Sequence, residues 1–212
     1  MHLRHRLSLW ADELRAIANE GLGWGAKDTY AQRRFQRVLR LAAEMAASQE
    51  SGDADHLEQL YQADLSHIAP YPVGDAAIFD ASGHILLIQR KDKGLWAMPG
   101  GFFEVGETPA EGTCREAYEE TGLHVEPVTL CGVYDSRLCG TQSTTHLYQF
   151  VFLCHPCDAS VQPVVTEETL GVGWFPQDTL PPLDPGHGGR IADACRCWRG
   201  ETLVALFDPL VS

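Results

Sequence analysis

The chain has 212 residues, is 44% apolar, and carries 16 Lys/Arg against 29 Asp/Glu for a net charge of −13. No apolar run is long enough to cross a bilayer, and the acidity argues against a general nucleic-acid binder, which needs a basic footprint. Residues 1–70 hold 8 Lys/Arg and 10 Asp/Glu (net −2), whereas the remainder holds 8 and 19 (net −11). The opening Met-His-Leu-Arg-His-Arg leads into an amphipathic pattern, not an apolar core, so no signal peptide is expected and the cytoplasm is the expected compartment.

Residues 1 to about 67 read as helical. Leu7, Trp10, Leu14 and Ile17 follow the three-and-four spacing of one helix face. Gly21–Gly25 interrupts the pattern, and a second helix is expected from Asp28 or Thr29, with Phe35, Val38, Leu41, Ala42 and Met45 on one side. Arg33, Arg34, Arg37 and Arg40 fill much of its other side, either as a solvated face or as a surface for an anionic ligand or an acidic partner. The stop at Gln49–Gly52 precedes Asp53, which should cap a third helix carrying Leu57, Leu60 and Tyr61. Three short helices make too thin a core to stand alone, so they should pack on another domain or subunit.

Ile68-Ala69-Pro70-Tyr71-Pro72 excludes helix and marks a boundary, giving a helical domain over 1–68 and a second domain over 69–212. Ala76–Phe79 and Ile85–Ile88 flank Asp80-Ala81-Ser82-Gly83 and read as a hairpin. Strands are expected at 129–134, 144–154, 161–165 and 171–175, a loop at 180–186, and a last helix over 189–198 with Ile191, Ala194 and Trp198. All seven cysteines lie between Cys114 and Cys197. Cys154-His155-Pro156-Cys157 has zinc-knuckle spacing, but the odd count without a secretion signal favours free thiols.

The stretch from Gly100 to Leu123 organises the second domain. Thr108, Pro109 and Glu111 form a helix start with a capping box, and Gly122 supplies the left-handed stop. Between them Glu116, Glu119 and Glu120 share one helix face. Three carboxylates so placed repel one another unless a cation sits among them, and an all-oxygen set suits Mg²⁺, Mn²⁺ or Ca²⁺ better than zinc.

These residues resemble the Nudix box: Gly, five residues, Glu, seven residues, then Arg-Glu-apolar-any-Glu-Glu-any-Gly-apolar. Gly101, Glu107, Arg115, Glu116, Ala117, Glu119, Glu120, Gly122 and Leu123 fill all nine positions across 23 residues. The strand and loop before the box, and Glu168 ahead of Trp174, extend the likeness over roughly 70–200. The resemblance implies an α+β protein, a Nudix α/β/α sandwich with a mixed sheet behind a small all-helical domain. That domain resembles the one in a bacterial subgroup of ADP-ribose or CDP-choline type hydrolases, which implies a homodimer.

The activity so implied is metal-dependent hydrolysis of a nucleoside diphosphate linked to another group, X. Mg²⁺ or Mn²⁺ would be held by Glu116, Glu119, Glu120 and the Gly101 carbonyl, while Glu107 and Arg115 orient the box. The proton acceptor for the attacking water comes either from the helix (Glu120) or from a downstream loop (Glu168 or Glu167). Arg90 and Arg137 can pair phosphates or stand as exposed arginines. Trp96, Phe102 and Phe103 can stack a base or belong to the core. Thr144, His146 and Tyr148 alternate as a polar stripe suited to a ribose or choline group. Cys139 stands where the family's ADP-ribose subgroup often carries proline. Two other readings are hydrolysis of oxidised nucleoside triphosphates and, from a different class, a non-catalytic ligand sensor. No nucleic-acid or membrane partner is expected.

Overall fold

The computed structural model describes residues 3–25, 28–50, 52–202 and 204–210. The chain forms two units, Met1–Pro70 with Gln142–His146, and Tyr71–Thr141 with Leu147–Ser212.

In the first unit α1 (Leu3–Glu20) runs into one turn of π-helix at Gly21–Gly25, followed by α2 (Thr29–Glu50) and α3 (Ala54–Ala63). The stop expected after α2 includes Ser51, which lies outside the described residues. The buried seam follows the expected stripes only in part: Ala42 is buried and Leu7, Leu14, Phe35, Val38 and Met45 are half-buried. It is built of Ala11, Ala18, Leu39, Ala42, Ala43 and Ala47, while Trp10, Ile17 and Leu41 are exposed. Small side chains let two helices approach closely, so the alanines take the seam and the larger residues flank it. Asp53 caps α3, accepting from the Asp55 amide at 2.9 Å. Of the arginine row, Arg40 ties α2 to α3 through Asp55 and Glu58, and Arg33, Arg34 and Arg37 are exposed.

In the second unit β1 (Tyr71–Ile78), β4 (Gly100–Phe102), β5 (Val125–Asp135), β6 (Leu147–Pro156) and β8 (Leu206–Phe207) form a mixed sheet of order β4-β1-β6-β5-β8. Strands β2 (Ile85–Arg90), β3 (Trp96–Ala97) and β7 (Thr169–Phe175) form a second, antiparallel sheet, β3-β2-β7. Alternation along β1 divides the core. Ala76 and Ile78 join Leu86, Val125 and Cys154 against Ala117 of α4 (Pro109–Thr121). Ala77 joins Leu87, Met98, Cys131 and Val151 against Ile191 and Ala194 of α5 (His187–Trp198). The result is an α/β/α sandwich.

Three local expectations are corrected. Residues 76–79 and 85–88 do not continue as a paired hairpin, because β1 and β2 enter different sheets; among the described residues they meet at the turn, through the antiparallel bridge Phe79 to Ile85 and the Asp80 amide donating to the His84 carbonyl. Residues 161–165 are not a strand; the Val164 amide instead donates to the Thr121 carbonyl at the end of α4. Thr144 and His146 precede β6 and belong to the first unit, so no Thr144–His146–Tyr148 stripe exists on one strand face.

Candidate active site

Helix α4 begins as its residues dictate. Thr108 accepts from the Glu111 amide at 3.3 Å, Glu111 accepts from the Thr108 amide at 2.8 Å, and Gly122 ends the helix at φ +72°. Nearly two turns in, Arg115 gathers the acidic residues. Its Nε and Nη2 donate to the two oxygens of Glu107 at 2.7 and 3.1 Å, and Nη2 also donates to the Phe102 carbonyl at 3.0 Å. Its Nη1 is shared between Glu116 at 3.0 Å and Glu119 at 2.8 Å. The Arg115 guanidinium holds the Glu107 carboxyl below its ordinary range, with help from the Glu104 amide. This fork locks the loop before α4 to the helix.

The remaining acid is deeper. Glu120 reaches back to β4, where its Oε2 accepts from the Gly100 amide at 2.8 Å. Burial pushes Glu120 up to about 8; Glu116 and Glu168 add to the rise, while the Gly100 amide and Arg90 oppose it. Burial also raises Glu116, against the pull of Arg115. A Cβ on Gly101 would lie 2.6 Å from the Glu116 carboxyl carbon, so a larger residue there would push that carboxylate aside.

Glu168 is exposed on the turn before β7 and stands close enough to raise both Glu116 and Glu120. Thus α4, β4, β2 and the start of β7 bring Glu116, Glu119, Glu120, Gly101, Arg90 and Glu168 into one region.

Oxygen-only donors and a buried carboxylate short of positive charge suit a hard divalent cation. Among the described residues no three acidic, His or Cys groups already converge on one point, since Arg115 occupies Glu116 and Glu119. Glu119, with 40% of its side chain exposed, has room to turn towards the others.

The other candidate residues are placed as follows. Arg90 makes a two-bond fork to Asp92 at 3.0 Å and lies 3.7 Å from Asp184. Trp96 packs edge-on against Phe175 at 4.8 Å, and Phe103 packs on Phe150 at 5.8 Å. Phe102 is exposed beside Tyr71. Arg137 folds back on Asp135 at 2.6 Å, Tyr148 is partly exposed on β6, and His146 sits near Asp12 in the first unit. All seven cysteines are free.

Behind β4, on its α5 side, lies a buried polar cluster that the sequence reading missed. Arg190, 1% exposed, pairs with Asp75 of β1. With its amide oxygen turned towards α5, Gln149 accepts from both terminal nitrogens of Arg190 at 3.2 Å. Next to them, His187 Nδ1 accepts from the Met98 amide at 3.4 Å. The signal was present, since His187 and Arg190 fall on the same stripe as Ile191, Ala194 and Cys195, and Asp75 interrupts an apolar strand.

Burial, followed by the charges of Arg190, Arg90 and Lys93, holds His187 well below its ordinary 6.5, so it is neutral in the fold. The unfolded chain takes up a proton there as pH falls below 6.5, and the folded one does not. Stability therefore drops in that direction. Urea unfolding between pH 8 and pH 5 should show a shallower decline for His187→Gln than for the parent chain; equal slopes would exclude this assignment.

A profile for the NUDIX domain matches residues 71–194, and one for a UDP-X-like, N-terminal oligomerisation domain matches residues 5–61. A putative ADP-ribose pyrophosphatase of Bacillus subtilis (strain 168) is 35% identical over 176 residues, spanning 82% of this chain and 83% of that protein. The crystal structure of a UDP-X diphosphatase superposes with a TM-score of 0.60 at 25% identity, covering 97% of this chain and 99% of its own. An ADP-ribose pyrophosphatase from Streptococcus suis 89-1591 gives a TM-score of 0.58 at 30% identity, covering 66% of this chain and 100% of its own. The NUDIX match spans more than half the chain and contains the whole acidic constellation, so the chain belongs to the Nudix family and is a Nudix hydrolase.

Proposed function

We propose that the protein hydrolyses the pyrophosphate bond of a nucleoside diphosphate linked to a group X, releasing a nucleoside monophosphate and phospho-X. CDP-choline and ADP-ribose are the favoured substrates. The observation that carries the reading is the carboxylate face of α4, with Glu120 buried and tied to the Gly100 amide beside Glu116 and Gly101. The names of the similar proteins, ADP-ribose pyrophosphatase and UDP-X diphosphatase, support a diphosphate-X substrate over a triphosphate.

In this reading Glu116, Glu119, Glu120 and the Gly101 carbonyl hold Mg²⁺ or Mn²⁺. When bound, the cation neutralises the bridging phosphates and favours the attacking oxygen. Arg115 and Glu107 keep the helix and loop in register. Arg90, beside Glu120 and held by Asp92, is the cation best placed to meet a phosphate. Glu168 accepts the proton of the attacking water. It is exposed to solvent, whereas Glu120 is committed to the Gly100 amide.

The helical unit makes the protein a homodimer. Its matched oligomerisation domain and the exposed Trp10, Ile17 and Leu41 support this. The expected compartment is the cytoplasm, where seven free thiols stay reduced.

A nucleotide panel with Mg²⁺ and Mn²⁺ tests the substrate class, with a coupled phosphatase revealing monoester products. Turnover should be highest on one diphosphate-X compound among CDP-choline, ADP-ribose and nucleotide sugars. A preference for 8-oxo-dGTP would move the protein to triphosphate clean-up.

A further inference from the structure

The last turn of a helix leaves its carbonyls without partners inside the helix, and something else must satisfy them. In α4 that turn carries Glu119 and Glu120, so whatever caps it also holds the site. Gly122 donates to the Tyr118 carbonyl at 2.7 Å, and Val164 donates to the Thr121 carbonyl at 2.9 Å. The Glu120 carbonyl is met by the Thr169 hydroxyl at 3.5 Å. Segment 164–169, which follows from the end of the strand expected at 161–165, thus covers the end of α4.

The same hydroxyl faces the other way too. Thr169 Oγ1 accepts from the Thr166 amide at 3.3 Å, and Thr166 Oγ1 accepts from the Glu168 amide at 3.2 Å. Glu168 therefore rides on a turn closed by two threonine hydroxyls, one of them bonded to the backbone of Glu120. Thr169 is buried at 3% exposure and pairs with Arg90 across β2 and β7, which fixes its own position. A second tie comes from Lys91, whose ammonium donates to the Glu167 carbonyl.

We propose that Thr169 is a positioning residue, its hydroxyl setting Glu168 against the carboxylates of α4 by joining the Glu168 turn to the Glu120 carbonyl. Lys91 acts on the same turn through the Glu167 carbonyl. The inference rests on the reading of Glu168 as the acceptor of the water's proton. Binding of substrate does not need that placement, but proton transfer does, so the effect belongs in kcat and not in KM.

Steady-state kinetics on Thr169→Val, Thr169→Ser and Lys91→Met, each alone and combined with Glu168→Gln, test it. Misplacing the turn should lower kcat about tenfold in Thr169→Val with KM unchanged, and Thr169→Ser, which keeps the hydroxyl, should stay near the parent rate. In the Glu168→Gln background Thr169→Val should cost nothing further, because both changes remove the same function. Lys91 is exposed, so Lys91→Met keeps the test open should Thr169→Val fail to fold, and it should show the same signature.

The inference is overturned if Thr169→Val keeps the parent kcat, if Thr169→Ser loses as much as Thr169→Val, or if the loss persists in the Glu168→Gln background. Loss of turnover in Glu168→Gln with none in Thr169→Val or Lys91→Met removes this inference and leaves the reading of Glu168 standing. Full turnover in Glu168→Gln removes both.

Discussion

Asp75→Asn should cost about 3–5 kcal/mol of folding stability, the usual cost of leaving one member of a buried ion pair alone. Arg190 is 1% exposed, and its charge is balanced within the core by Asp75. Its Nε donates to the Gly186 carbonyl at 3.1 Å, and Gln149 faces its other nitrogens, so neutral acceptors are already present. An asparagine would add one more neutral acceptor and no charge. The guanidinium cannot shed its proton to escape, unlike a buried lysine or histidine. Replacing both members, Asp75→Leu with Arg190→Met, should recover much of the loss, because the penalty is the unpaired charge and not the absence of the pair. Urea unfolding of the two variants beside the parent chain decides it. A loss below about 1 kcal/mol in Asp75→Asn would mean that water reaches the pair and screens it.

Glu120→Gln should leave the fold intact and lower kcat by at least about a hundredfold, a loss of the size seen when a catalytic carboxylate is neutralised. The amide oxygen of a glutamine can still accept from the Gly100 amide, so the tie between α4 and β4 survives. What disappears is the charge. In the folded chain that charge is already disfavoured, with burial and the neighbouring Glu116 and Glu168 holding Glu120 up to about 8. A carboxylate kept in so unfavourable a place is a functional candidate on physical grounds. Glu168→Gln separates the two roles. If Glu168 takes the proton, its neutralisation lowers kcat without weakening the response to added Mg²⁺, whereas Glu120→Gln weakens both. The reverse pattern would give the base to the helix.

Much of this was legible because it is local. The capping box at Thr108 and Glu111, the stop at Gly122 and the shared face of Glu116, Glu119 and Glu120 all follow from spacing within one helix, and each is present. The switch from helical to extended pattern near Pro70 marks where β1 begins. What the sequence concealed depends on distant partners. The hairpin expected at 76–88 has suitable strands and a suitable turn, yet β1 finds β6 and β4 while β2 finds β7. A turn sequence cannot state that competition. Val161–Val165 has strand-like residues yet pairs with no strand, and the Val164 amide serves the end of α4 instead. In the helical unit the large apolar residues drew attention, while the alanines between them make the seam. Arg190 was readable as a charge on an apolar stripe, although its partner, 115 positions away, was not.

In the proposed reaction the carboxylates of α4 act through a divalent cation on a phosphoanhydride. Removing and restoring that cation tests it most directly. Enzyme stripped with a chelator and assayed on its best nucleoside diphosphate-X substrate should be inactive and should recover with Mg²⁺ or Mn²⁺. A Glu116→Gln, Glu119→Gln double variant, folded as judged by its unfolding curve, should fail to recover at the same cation concentration. Equal turnover in chelator and in Mg²⁺, or full recovery in the double variant, would contradict the account.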